Sequence, residues 1–224
     1  NEKLAQKKVS EYFGSTQKTK RVKDVWLNQR PNKNLNSVTK ISTNRLLNNQ
    51  LSFAKFFRFA DLSDILGMQA SFFIASDIYN SHLNDILYLD GNIAQSFSQS
   101  SYIAINGDIE YTASLIPFEG VTLDQAHKEL KNAIKSLRDK SITKKEIEIA
   151  RAKNVAYAKS LSQSPRAYLD FFQNLGSDGL PPVSPKEFAK MIADAPIKDI
   201  LKIITAFSSD SPNAAILAKL DVER

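Results

Sequence analysis

The stretch GNIAQSFSQSSYIAINGDIEYTASLIPFEG, residues Gly91 to Gly120, decides the fold. Ile93, Gln95, Phe97, Gln99, Ser101, Ile103 and Ile105 alternate with other residues, and Ile109, Tyr111, Ala113 and Leu115 repeat the alternation after a break. A period of two places each set on one face of a half-buried strand. The break contains Asn106-Gly107, the dipeptide that reaches positive φ at both central positions of a tight hairpin turn with least steric cost. The stretch is therefore predicted to be an antiparallel hairpin within a sheet. The segments on either side are mostly helix-patterned, so the sheet is predicted to be what the helices cover.

Toward the N-terminus, residues 2–13 fit a helix through Leu4, Val9, Tyr12 and Phe13, with Gly14 as its stop. Ser15 to Ser37 loses periodicity and collects Lys18, Lys20, Arg21, Lys23, Arg30, Pro31, Asn32, Lys33 and Asn34, a linker composition. Val38 to Ile41 reads as a short strand. Leu51, Phe53, Phe57 and Phe59 alternate with Ser52, Ala54 and Arg58 in a second strand, which Phe56 suggests is buried on both faces. Asp61 is placed to cap a helix bearing Leu62, Ile65, Met68, Phe72, Phe73 and Tyr79, and a separate helical piece is expected from Ser81 to Leu89.

Toward the C-terminus, Thr122 with Gln125 and Thr143 with Glu146 are capping boxes that open two helices. Ser164-Pro165 and Ser184-Pro185 open two more, Pro196 precedes a last one, and Ala214 to Leu220 is expected to return as a strand to the sheet edge. This order of elements predicts an α+β fold with a largely antiparallel mixed sheet covered by helices.

At 224 residues the chain suffices for one substantial core. No apolar run approaches the roughly 18 residues of a membrane span, and no leader pattern is expected, because Asn1 opens inside a helical pattern. The absence of cysteine excludes disulfides and thiolate zinc sites. Residues 1–60 hold 13 Lys or Arg against 3 Asp or Glu, whereas the remaining 164 hold 17 against 21, so the basic character belongs to the N-terminal quarter. A basic arm can meet nucleic acid or an acidic membrane surface. No aromatic-basic interleaving of a nucleic-acid module accompanies it, and no nucleic-acid partner is expected.

Chemistry-bearing motifs are absent. His82 and His127 lie 45 positions apart, whereas metal-binding pairs on a helix sit three or four apart, so each is read as a packing or surface residue. No nucleophile elbow or phosphate-cradling glycine loop occurs. By its own residues the chain reads as non-catalytic, a helper, binding or structural domain, with no catalytic or metal-binding residue assigned.

Several phrases in order resemble the pitrilysin or insulinase-like zinc metallopeptidases, including the mitochondrial processing peptidases. They are the helix ending Glu11-Tyr12-Phe13-Gly14, the basic linker, the strand Gln50 to Phe59, the helix into Tyr79, and Thr143-Lys144-Lys145-Glu146-Ile147-Glu148-Ile149-Ala150-Arg151-Ala152-Lys153, which resembles T-x-x-E-L-x-x-A-K. Those proteins are built from homologous halves, of which one carries the inverted zinc motif H-x-x-E-H. This chain resembles the other, non-catalytic C-terminal half, one half-repeat of a pitrilysin/processing-peptidase-like (LuxS/metallohydrolase-like) protein. The resemblance implies residues 1–14 as the closing helix of a preceding repeat, 15–37 as a basic linker and 38–224 as the peptidase-like α+β domain.

In the family, an Arg and a Tyr seven residues later, within L-R-x-x-x-x-L-x-Y, help hold substrate and steady the developing oxyanion. Here Leu87-Tyr88-Leu89-Asp90-Gly91-Asn92-Ile93-Ala94-Gln95 puts Tyr88 at the Arg position and Gln95 at the Tyr position. Tyr88 brings no charge, yet its hydroxyl and the Gln95 amide can each donate a hydrogen bond. Tyr88, Gln95 and Gln99 are the candidate substrate contacts, on a concave, partly polar sheet face around Gln95, Gln99 and Ser101. The implied function is the substrate-enclosing half of a zinc-dependent metalloendopeptidase hydrolysing peptides or unfolded polypeptides. No cofactor is expected in this chain, and zinc is expected in the catalytic half or subunit that partners it. The alternatives are a catalytically dead scaffold or partner subunit, and a basic-arm binder of nucleic acid or membrane surface. The resemblance implies the periplasm or cell envelope of a bacterium, with the cytoplasm as the alternative.

Overall fold

A computed structural model describes residues 6–8, 11, 36–58, 65–103, 108–177, 182–209 and 213–221. The chain divides into two units, residues 1–30 and 31–224. In the first, the described residues are helical and Lys8 Nζ lies 3.2 Å from Glu11. The Gly14 stop, the Asp61 cap and the Asn106-Gly107 turn lie outside the described residues, as does the linker up to residue 35.

The second unit is a five-stranded mixed sheet carrying helices on one face, an α+β fold as the order of elements predicts. Its strands are β1 (Asn36–Thr43), β2 (Gln50–Arg58), β3 (Ala94–Ile103), β4 (Asp108–Pro117) and β5 (Asn213–Leu220), ordered β1-β5-β2-β4-β3. Among the described strands only β1 with β5 is parallel. The predicted hairpin is β3 with β4, and its register, Ile103 opposite Ile109 and Phe97 opposite Leu115, puts the apolar residues of both strands on the helix side.

Four expectations are corrected. β1 begins at Asn36 and runs to Thr43, longer than Val38 to Ile41. The second face of β2 is only half-buried at Ser52, Ala54 and Phe56. The strand β5 lies between β1 and β2 rather than at the edge. It carries a single charge, Lys219, and mostly small or apolar residues, which suits a strand flanked on both sides. The helix through Tyr79 and the piece from Ser81 are one element: α1 (Ile65–Asn84) winds directly into a π-helical turn, Asp85–Leu89. No Gly or Pro intervenes between Gly67 and Gly91 to stop it.

The other helices are α2 (Leu123–Asp139), α3 (Lys144–Ser160), α4 (Pro165–Ser177), α5 (Pro185–Asp194) and α6 (Ile197–Phe207). The two predicted capping boxes form, Thr122 with Gln125 and Thr143 with Glu146, and Ser184 with Glu187 makes a third; each exchanges both hydrogen bonds. Such boxes satisfy amide donors that would otherwise have no intrahelical partner, and fix where each helix starts.

The core lies between α1, α6 and the sheet. Tyr79 of α1 stacks on Phe207 of α6 at 4.7 Å and meets Tyr111 of β4 edge-on at 5.4 Å. Burial pushes both phenols up in pKa, so they remain hydrogen-bond donors, and Tyr79 donates to the Phe207 carbonyl at 3.4 Å. Lys55 of β2 is buried on this same face, a residue the alternation passes over. Its ammonium donates to the carbonyls of Phe207, at 2.6 Å, and Ser209, at the C-terminal end of α6 where carbonyls lack intrahelical partners. Arg138 of α2 donates to the Ser208 carbonyl at 2.9 Å, so two cations hold one helix end.

Candidate functional site

The junction from α1 into β3 sets the positions of the candidate contacts. In the π-turn the Asp90 amide donates to the Asp85 carbonyl at 2.8 Å, and the Ile93 amide returns to the Leu87 carbonyl at 3.2 Å. The chain passes so close that a Cβ on Gly91 would stand 1.9 Å from the Ile86 carbonyl oxygen. Asn92 then adopts φ of 48°, in the left-handed region that Asn tolerates better than most residues. Tyr88, at the end of the turn, is exposed.

A β-bulge follows. Ala94 opposes Pro117 and Ser96 opposes Ile116, so Gln95 is an extra residue on β3. The bulge gives the buried place to Ala94 and leaves Gln95 exposed, off the face that carries Phe97, where uninterrupted alternation had put it. Tyr88 and Gln95 thus flank one tight connection, both open to solvent. Gln99 differs: its amide Nε2 donates to the Asn80 carbonyl of α1 at 3.0 Å, and its Oε1 accepts from the Tyr111 hydroxyl at 3.4 Å. Ser101 meets Ser76 of α1 at 3.0 Å. Gln99 and Ser101 face the helices, so the expected polar sheet face is not built from them.

The open face of the sheet carries the alternate residues. One row across it reads Ser98, Ser114, Ser52, Ile216 and Thr39; the next reads Ser100, Thr112, Ala54, Ala214 and Ser37. These small side chains leave a shallow concavity of about 360 Å³ over β2, β3, β4 and β5. Gln50 Nε2 donates to Ser114 Oγ at 2.7 Å along this face. The hydroxyls provide donors and acceptors without charge, which suits an extended polypeptide or another neutral polar partner and supplies no group for acid-base or nucleophilic chemistry. The signal was present in the sequence as Ser96, Ser98 and Ser100, one position out of step with the apolar face.

Neither histidine joins this face. His127 of α2 packs against Phe53 with ring centroids 6.4 Å apart, and its pKa is lowered by burial and then by Lys131. His82 of α1 is buried against the α2–α3 connection. Among the described residues, no three His, Cys, Asp or Glu side chains gather to hold a metal ion. No described helix is long and apolar enough to cross a membrane.

No family model matches the sequence, and no curated protein matches it. Solved structures do. The periplasmic protease PqqL from Escherichia coli superposes with a TM-score of 0.71 at 10% identity, over 99% of this chain and 24% of that one. A protease from Helicobacter pylori gives 0.71 at 11% identity, over 98% and 52%. A peptidase M16 inactive domain from Pseudomonas fluorescens gives 0.61 at 12% identity, over 88% and 46%. This chain therefore spans from about a quarter to about half of each. Its fold is that of a pitrilysin-like half domain of the insulinase-like, or M16, peptidases.

Proposed function

We propose that this chain is the non-catalytic, substrate-enclosing half of a zinc-dependent metalloendopeptidase acting on peptides or unfolded polypeptides, the zinc lying in a companion half or subunit. The observation that carries the reading is the conjunction of an M16-type half fold with an open concavity on the sheet lined by uncharged side chains, four of them serines and one a threonine. Tyr88 and Gln95 are the proposed substrate contacts at the rim, each offering a hydrogen-bond donor. Gln99, the third candidate, acts through the strand: its amide ties the middle of β3 to α1. Donors at the Tyr88 and Gln95 positions would stabilise developing charge once a companion half closed over them and excluded water. The likeness to a periplasmic protease supports a periplasmic or envelope location in a bacterium.

The test is binding of extended, uncharged peptides to the chain, followed by amide chemical shifts. The reading expects shifts at Ser52, Ser98 and Ser114 and weaker binding by Gln95→Ala and Tyr88→Ala. Shifts confined to the helical face would overturn it. A second reading, a catalytically dead scaffold, is favoured by the likeness to an inactive domain. It expects no peptide binding at that face.

A further inference from the structure

His82 stands at a junction of three elements that the proposed function does not use. It lies on the last full turn of α1 and is buried, with its side chain 11% exposed. Its Nδ1 lies 2.7 Å from Lys140 Nζ, in the connection between α2 and α3, and its Nε2 lies 3.0 Å from Glu146 Oε1 at the start of α3. Lysine nitrogen has only donors to offer, so the short contact at Nδ1 requires that nitrogen to be an acceptor. Nε2 then carries the proton and donates a hydrogen bond to the carboxylate. This assignment fixes His82 as neutral and as one tautomer, between a cation and an anion.

The partners are themselves held. Glu146 accepts from the Thr143 amide at 2.7 Å and from its hydroxyl at 2.6 Å, within the capping box of α3. Those hydrogen bonds lower its pKa, so it stays ionised. Lys140 directly follows α2 as its C-terminal cap. The three residues thus tie the end of α2, the start of α3 and the end of α1 at a single imidazole.

We propose that Lys140, His82 and Glu146 form a proton-operated latch: neutral His82 ties the α2–α3 connection to α1, and its protonation expels Lys140 and frees that connection. The inference concerns the fold and does not rest on the peptidase reading. A proton on Nδ1 removes the acceptor Lys140 uses and sets two cations within hydrogen-bond distance, while the bond to Glu146 survives. The charged groups around the ring are Lys140, Glu146 and Asp85 of the π-turn. Burial and Lys140 oppose protonation, Glu146 and Asp85 favour it, and the balance lowers the pKa of His82. The latch therefore stays shut at neutral pH and opens in the acid range.

The experiment is a pH titration of the chain by NMR, reading the imidazole nitrogens, the Overhauser contact between the Lys140 ε-methylene and the His82 ring, and backbone order at Ser141 and Ile142. The expected result is a proton on Nε2 at neutral pH and a midpoint below the ordinary value of about 6.5. The Lys140 contact and the order of the connection should disappear together through that midpoint, the released fraction growing about tenfold for each pH unit crossed near its onset. Lys140→Met, at an exposed position, should raise the midpoint and remove the pH dependence of the connection. Glu146→Gln, which keeps an acceptor for the capping box, should lower the midpoint. A Lys140 contact that persists while His82 titrates, or a midpoint that Lys140→Met leaves unmoved, would overturn the proposal.

Discussion

Replacing Gly91 by Ala should disrupt the junction that carries Tyr88 and Gln95, the two proposed rim contacts. The added Cβ would stand 1.9 Å from the Ile86 carbonyl oxygen, a backbone atom inside the π-turn that cannot rotate away. A carbon–oxygen contact settles at roughly 3.3–3.6 Å, so the backbone must open by about 1.5 Å. That movement strains the two bonds that close the turn, Asp90 amide to Asp85 carbonyl and Ile93 amide to Leu87 carbonyl. Overpacking of this kind costs about 1–3 kcal/mol, and two weakened hydrogen bonds add about 1 kcal/mol or more. The expected loss is about 2–4 kcal/mol of unfolding free energy, a fall of roughly 1–2 M in the urea midpoint with the slope unchanged. The assay is urea unfolding followed by far-ultraviolet dichroism, with peptide binding measured under native conditions. A Gly91→Ala chain within about 0.5 kcal/mol of the parent would refute the close approach on which the geometry of Tyr88 and Gln95 depends.

Phe207→Ala removes the ring that Tyr79 and Tyr111 both contact and should cost about 3–5 kcal/mol in the same assay; a cost under about 1 kcal/mol would mean the aromatic cluster is not the core. Lys55→Met keeps the length of the side chain but removes the donor to the Phe207 and Ser209 carbonyls. The lost charged bonds exceed the desolvation relieved, so destabilisation by about 1–3 kcal/mol is expected, and a gain in stability would reverse that balance. Because folding lowers the pKa of His82, the unfolded chain binds the proton more tightly, and stability should fall as pH drops below the ordinary histidine value of about 6.5 through the lower folded value. Urea midpoints between neutral and acid pH for the parent and His82→Gln check this, with a shallower profile expected for the variant, whose remaining slope belongs to His127, a second histidine with a lowered folded pKa. Thr143→Ala should cost about 1 kcal/mol through the cap of α3, seen as the same shift in midpoint.

Much of the architecture was legible because local signals agreed with tertiary ones. The Thr122–Gln125 and Thr143–Glu146 boxes and the Ser184-Pro185 pair located helix starts to the residue, since each acts locally and needs no long-range partner. The hairpin was legible because Ile109, Tyr111, Ala113 and Leu115 alternate without interruption on β4. On β3 the same rule failed at Gln95, because a bulge is set by the pairing strand and the entering π-turn and leaves little mark in a single sequence. Lys55 was missed, and His82 was read only as a packing or surface residue, for a related reason. Their burial is made tolerable by carbonyls of α6 and by Lys140 and Glu146, partners distant in sequence that no spacing rule can supply. The interior position of β5 is likewise a matter of topology.

The measurement that bears most directly on the central claim is peptide hydrolysis by this chain together with the proposed zinc-bearing companion half, compared with each alone. The account predicts that the pair cleaves unfolded polypeptide, that the chain alone neither cleaves nor binds zinc stoichiometrically, and that Gln95→Ala and Tyr88→Ala in the pair raise KM. Cleavage by the chain alone with tightly bound zinc, or a companion whose activity is the same with and without this chain, would contradict it.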